Sequence, residues 1–398
     1  MRILIATAGS RIKYRPQPLR GAALRRAGYD VAVATTDTFA PMVRDAGLGF
    51  RRLPADTRGH AGVRSNREVM RAAAAFTAEL GQGFADAVSE GTDLLLLSTT
   101  IRESLLRSEG ATGIPSLGVY LQPTAPTGDF PPVVTGARSL GRLGNRTAGR
   151  EFGIPVIAFL AEAVAGLRER LRLPPLSAAA MRARQERAGW PVLHGFGTAL
   201  VPRPADWRPG LEVVGPWWPH HDAGERLPSE LEDFLDAGPR PVLVGFGSMA
   251  AGDGERLSEL AVRALRRAGL RGILQSGNAG LAAEGDDVLT FLWIIRSNLV
   301  WVKEDRACMS GAGTSATLRA AVPSVAVPVT ADQPFWAGRL ARIGAAPAPV
   351  PFTTLTADGK LARIASIAPD EAYARAEKAR HLAEDGARVV EAVRLTRA

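Results

Sequence analysis

The sequence predicts an α/β protein built from two Rossmann-like, doubly wound domains that face one another across a cleft. Three observations carry that expectation. Short apolar runs ending in small residues recur along the chain, as in RILIATAG and RPVLVGFGSM, and read as buried parallel strands. Helix-patterned stretches such as PLRGAALRRAG and GERLSELAVRALRRAG separate them, the alternation expected of βαβ units. The same grammar occurs in both halves, and 398 residues exceed what one ordinary core holds.

In chain order, RILIATAG is the first strand, PLRGAALRRAG a helix and DVAVAT the second strand. DLLLLS and SLGVYLQ follow as strands on either side of the helix-like IRESLLRSEG. This acceptor-side domain is expected over residues 1–205. Residues 206–226 are rich in Pro, Gly and Trp and read as an interdomain linker. The second domain, 227–375, opens with RPVLVGFGSM and continues through the strands RGILQSG, DDVLTFLW and SVAVPV. Residues 376–398 form an amphipathic helix expected to pack back on the first domain.

Composition narrows the function. With 46% hydrophobic and 22% charged residues the chain is of the soluble globular class. The net charge of +9 comes from forty-five Arg and four Lys dispersed along the length, without interleaved aromatics. That distribution argues against nucleic acid as a partner. The single cysteine, Cys308, excludes a disulfide framework, and the five His lack metal-ligand spacing, so no metal is expected. No apolar run is long enough to span a bilayer, and the start is too short and quickly polar for a secretory signal. A cytoplasmic location is expected.

Ligands of doubly wound sheets bind beyond the carboxyl ends of the strands, so the loops after strands hold the candidate residues. GFGSM places Ser248 behind a turn whose Gly247 lets backbone approach an anion. SGAGTS offers Ser310, Gly311, Gly313, Thr314 and Ser315 at the start of a helix, whose terminus suits a diphosphate. Asp332 and Gln333 follow SVAVPV and can accept from and donate to vicinal hydroxyls, with Trp336 as a wall. Ser10, Arg11, Gln122, Asn278 and Met309 fall on the other strand-end loops facing the cleft.

GAGTSATLRAAVPSVAVPVTADQPFWAGRL resembles the donor-binding motif of family 1 glycosyltransferases, particularly actinobacterial natural-product enzymes and their sterol-glucosyltransferase relatives. RQERAGWPVLHGFGTALVPRPADWRPGLEVVGPWW is similar to that group's domain junction, and LQPTAPTGDFPPVVTGARSLGRLGNR to its acceptor-side segment. The resemblance covers nearly the whole chain. It implies the GT-B fold and inverting, metal-free transfer from a nucleoside-diphosphate sugar to an acceptor hydroxyl. Such transfer needs a general base and positive potential at the departing diphosphate.

Two departures cut against that chemistry. GSRIKYRP carries Lys13 where the family has its catalytic Asp, and Met309 stands where the family has its diphosphate-binding His. An ammonium takes no proton; a desolvated Lys13 with a lowered pKa would be a base or nucleophile, whereas the plainer alternative, which the residue type favours, is a solvated or salt-bridged side chain. The base-framing loop is IIRSNLV, and Asn278 occupies a common Trp position. Three readings stay open. The first is a protein of natural-product biosynthesis that binds a hydrophobic small molecule in the cleft and performs a cyclisation, rearrangement or elimination. The second is a working transferase with relocated groups, for which a nucleoside-diphosphate sugar is the donor. The third is a non-catalytic auxiliary subunit that stabilises an active glycosyltransferase; a partner enzyme or a homodimer is the expected assembly.

Overall fold

The structure, a computed structural model, describes residues 1–7, 16–54, 79–80, 83–99, 101, 113–133, 138–151, 180, 183, 186–217, 227–246, 253–291, 308–310 and 324–355. It contains two all-parallel sheets. The first runs through β1 (Arg2–Ala6), β2 (Asp30–Thr35), β3 (Gly49–Arg52), β4 (Leu94–Leu97), β5 (Ser116–Tyr120), β6 (Val192–His194) and β7 (Leu211–Val213). Its seven strands lie in the order β3-β2-β1-β4-β5-β6-β7. The second comprises β8 (Val242–Gly245), β9 (Gly272–Gln275), β10 (Val288–Phe291), β11 (Cys308–Ser310) and β12 (Ser324–Ala326), ordered β10-β9-β8-β11-β12.

Both orders reverse direction once, between β1 and β4 in one sheet and between β8 and β11 in the other. Crevices at such reversals are where doubly wound folds take ligands. The strands are apolar on both faces because both faces are covered. Ile3, Ile5, Val31, Val33, Leu94, Leu96, Leu117 and Val119 fill one layer of the first sheet. Leu4, Ala6, Leu95, Leu97, Tyr120 and Val192 fill the opposite layer, as a period of two requires.

Among the helices, α1 (Pro16–Arg26), α2 (Ala40–Asp45) and α3 (Gly141–Glu151) belong to the first half of the chain. α4 (Ser229–Asp236), α5 (Gly254–Arg267) and α6 (Gln333–Arg342) belong to the second. In α5, Leu257, Ala261, Ala264 and Leu265 recur at helical spacing and bury one stripe. Glu255 in its first turn and Arg266 and Arg267 in its last complement the helix dipole. Gly269, at φ 62, accepts the left-handed conformation just past its end.

Two placements depart from simple chain order. Residues 206–226, read from composition as linker, contribute β7 to the edge of the first sheet. Helix α6, which follows the last strand of the second sheet, puts Trp336 and Leu340 into the core layer of the first. The C-terminal helix expected over 376–398 lies outside the described residues.

His194 in β6 is fully buried, with its ring stacked on Trp207 at 4.6 Å between centroids and close to Phe196 at 5.5 Å. Its Nδ1 lies 3.0 Å from the Glu212 carbonyl, so the proton sits on Nδ1. Burial pushes its pKa down to about 3, against the raising effect of that carbonyl and with a further lowering by Arg203. The folded state therefore holds this ring neutral, whereas the unfolded chain protonates it below about pH 6.5. Stability is lost as pH falls below that value, with a slope from this group of about 1.4 kcal/mol per pH unit. Urea unfolding of the wild type and of His194→Asn between pH 7 and pH 4 checks this: the variant is expected to show the shallower slope by about that amount.

Candidate functional site

The loops leaving β5 and β12 meet. Val327 to Ala331 carry the chain from β12 to α6, and Ala331 has φ 57, the one non-glycine residue in the left-handed region among the described residues. That conformation costs an alanine about 1–2 kcal/mol. It is held where the chain turns from strand into helix, immediately before Asp332. Pro334 sits in the first turn of α6, where a missing N–H costs nothing.

Asp332 occupies the N-cap position of α6 but makes no side-chain cap. Its carboxylate faces the first sheet instead. Oδ2 accepts from Gln122 Nε2 at 3.0 Å and from Trp336 Nε1 at 3.1 Å. Oδ1 receives no hydrogen bond among the described residues. Gln333 is buried, and its Oε1 accepts from the backbone N–H groups of Val329 at 2.7 Å and Thr330 at 3.4 Å. Those two donors fix the amide orientation, leaving its NH₂ without a protein partner among the described residues. Adjacent residues thus present one acceptor oxygen and one donor nitrogen at a strand end, the complement of neighbouring hydroxyls.

Aromatic rings close around this pair. Trp336 packs on Phe196 at 5.5 Å and on Phe335 at 5.1 Å, and Phe335 packs on Phe130 at 5.2 Å. The Arg339 guanidinium lies over both Phe130, at 5.2 Å, and Phe335, at 5.0 Å. Burial lowers its pKa, with Arg342 acting in the same direction and Asp129 against it. Trp336 is thus a core residue whose indole N–H serves Asp332, more than a flat wall.

The segment 121–133 carries Gln122 and Phe130 and is pinned from beneath. Asp206 accepts from Thr127 Oγ1 at 2.7 Å and from the Gly128 N–H at 2.8 Å, with Arg146 4.0 Å away. Burial alone would raise the Asp206 pKa, but these hydrogen bonds and the Arg146 charge outweigh it and hold the carboxyl below its ordinary value. Asn145 in α3 donates to the Gly128 carbonyl at 3.1 Å and to Ser139 at 3.0 Å, and accepts from the Leu140 N–H at 2.9 Å.

Of the residues singled out from sequence, Gln122, Asp332, Gln333 and Trp336 come together. Ser10, Arg11, Lys13, Ser248, Gly311, Gly313, Thr314 and Ser315 lie outside the described residues. The backbone of Met309 and Ser310 forms β11, between β8 and β12, and the backbone of Asn278 forms a single 3-10 turn after β9. Asp206, Asn145, Phe130 and Arg339 were missed. The only hint was a carboxylate set among Pro, Ala and Trp in PRPADW, where a solvated turn reads equally well.

No protein-family model matches the chain. The chain is 32% identical over 409 residues to the O-mycaminosyltylonolide 6-deoxyallosyltransferase of Streptomyces fradiae, covering 96% of this chain and 93% of that one. The solved glycosyltransferase of kitacinnamycin superposes with a TM-score of 0.71 at 18% identity, over 100% of this chain and 98% of that chain. SsfS6 of Streptomyces sp. SF2575, solved with thymidine diphosphate, gives a TM-score of 0.63 at 18% identity, over 100% of this chain and 99% of that chain. At these identities the two structures show a shared fold.

The contribution of Asp206 is measurable apart from any ligand. Asp206→Ala strands the Thr127 hydroxyl and the Gly128 N–H, and is expected to cost about 2 kcal/mol in urea unfolding at neutral pH. Asp206→Asn, which keeps one acceptor oxygen, is expected to cost less.

Proposed function

The chain belongs to the family 1 glycosyltransferases of GT-B fold, the group that holds actinobacterial natural-product enzymes, and from that membership we propose that it transfers a sugar from a nucleoside diphosphate to a hydroxyl of a small natural product. The observation that carries this reading is the pairing, after β12, of an Asp332 oxygen and a Gln333 amide nitrogen that have no hydrogen-bond partner among the described residues. The two groups accept from and donate to adjacent sugar hydroxyls. In the transfer the acceptor oxygen attacks the anomeric carbon while the bond from that carbon to the diphosphate oxygen breaks. The acceptor proton goes to a base, and the configuration inverts.

Two residues bear on the rate. Lys13 replaces the carboxylate expected as base, which is worth about 10²–10⁴ in rate. The proton must then leave to another group, or come from a hydroxyl that is acidic in its own right. Met309 replaces an imidazole that would steady the diphosphate, worth about 10²–10³. These substitutions favour a second reading, in which the cleft holds a hydrophobic small molecule and the reaction is a cyclisation, rearrangement or elimination without a sugar nucleotide. The near full-length likeness to a deoxyallosyltransferase supports the first reading over the second.

Incubation with thymidine-diphosphate and uridine-diphosphate sugars and a panel of hydroxylated macrolides, phenols and sterols separates them. Transfer predicts nucleoside-diphosphate release that needs acceptor, with kcat/KM lowered about 10- to 100-fold in Asp332→Ala. No release and no sugar-nucleotide binding, even in the double variant Lys13→Asp with Met309→His, would overturn the transfer reading.

A further inference from the structure

We infer that Gln122 is a positioning residue for the donor sugar: from the acceptor-side sheet it turns the Asp332 carboxylate so that Oδ1 alone faces the ligand. The inference rests on the reading of Asp332 as the sugar's hydrogen-bond acceptor. Gln122 is buried at the carboxyl end of β5, and its side chain leaves its own sheet to reach a residue 210 positions further along the chain.

Three features make this bond an orienting device. A carboxylate oxygen offers two acceptor sites. Gln122 Nε2 and Trp336 Nε1 both bond to Oδ2, at 3.0 and 3.1 Å, so that oxygen is filled and rotation of the carboxylate is fixed from two directions. Oδ1 is left as the available acceptor. The backbone is fixed as well, because Ala331 is held at φ 57 just before it. Finally, both donors are uncharged. A Lys or Arg at position 122 would neutralise the carboxylate, whereas an amide and an indole orient it and leave its negative charge to strengthen a hydrogen bond from a sugar hydroxyl.

The consequence is a division of labour. Gln122 sits in the segment 121–133, which Asp206, from the turn between β6 and β7, and Asn145, from α3, hold in place. Sugar recognition by the second sheet therefore depends on a group supplied by the first. Recognition of the nucleoside diphosphate is expected to be independent of it, because on this reading Asp332 serves the sugar hydroxyls.

Calorimetric titration of thymidine diphosphate, uridine diphosphate and their glucose conjugates tests this. Wild-type protein is expected to bind a conjugate more tightly than the matching diphosphate. In Gln122→Ala that sugar-dependent increment should fall by about 10-fold, with diphosphate affinity unchanged within about 2-fold. Gln122→Glu adds a readout that lost packing would not give. Where both carboxylates are ionised, near pH 8, they repel and neither donates, so its increment should be poor there and recover as the pH is lowered, when one carboxyl of the pair takes a proton and donates again. An increment kept in both variants would overturn the role of Gln122 while leaving the transfer reading intact. Equal loss of diphosphate and conjugate affinity, with no pH recovery, would mark Gln122 as merely structural. A wild type that binds neither conjugate would remove the reading beneath the inference, and the inference with it.

Discussion

A half-buried carboxylate held from two sides is the constraint on which this architecture turns. Asp332 leaves the end of β12 through a strained residue and enters α6, where its own helix supplies one donor, Trp336, and the opposite sheet supplies the other, Gln122. Withdrawing either donor would leave Oδ2 of a half-buried carboxylate short of a partner, the kind of loss that costs more than the bond itself returns. The rings around it make the same connection in apolar form, since Phe196 and Phe130 of the first half meet Trp336 and Phe335 of the second. Polar and apolar contacts therefore agree on one relative placement of the two sheets at this point.

Support for that placement extends away from the site. The segment that delivers Gln122 and Phe130 has few regular backbone partners of its own, and side chains replace them: Asp206 beneath Thr127 and Gly128, Asn145 beside the Gly128 carbonyl. Those side chains belong to neither strand end nor donor motif. They convert an irregular loop into a fixed platform, which is what a site assembled from two sheets needs.

Buried parallel strands were legible because they are short apolar runs, and β1, β4, β5, β8, β9 and β12 all fall within such runs. Asp332 and Gln333 were legible for a related reason, as polar residues immediately after one of those runs. The strand β7 was not, since Leu211–Val213 is three residues long within a Pro- and Trp-rich stretch, and edge strands need little hydrophobic signal. Nor was the partnership of Gln122 with Asp332. Local periodicity has a reach of a few residues, and that bond joins two loops from different sheets. The Asp206 anchor was hidden because a carboxylate that caps backbone looks, in sequence, like one that faces water.

The most direct measurement is a crystal structure with a nucleoside-diphosphate sugar bound. A sugar hydroxyl is expected within about 3 Å of Asp332 Oδ1 and another at the Gln333 amide nitrogen, with Gln122 and Trp336 still on Oδ2. A sugar seated elsewhere, with Oδ1 turned to solvent or Oδ2 released from Gln122, would contradict it.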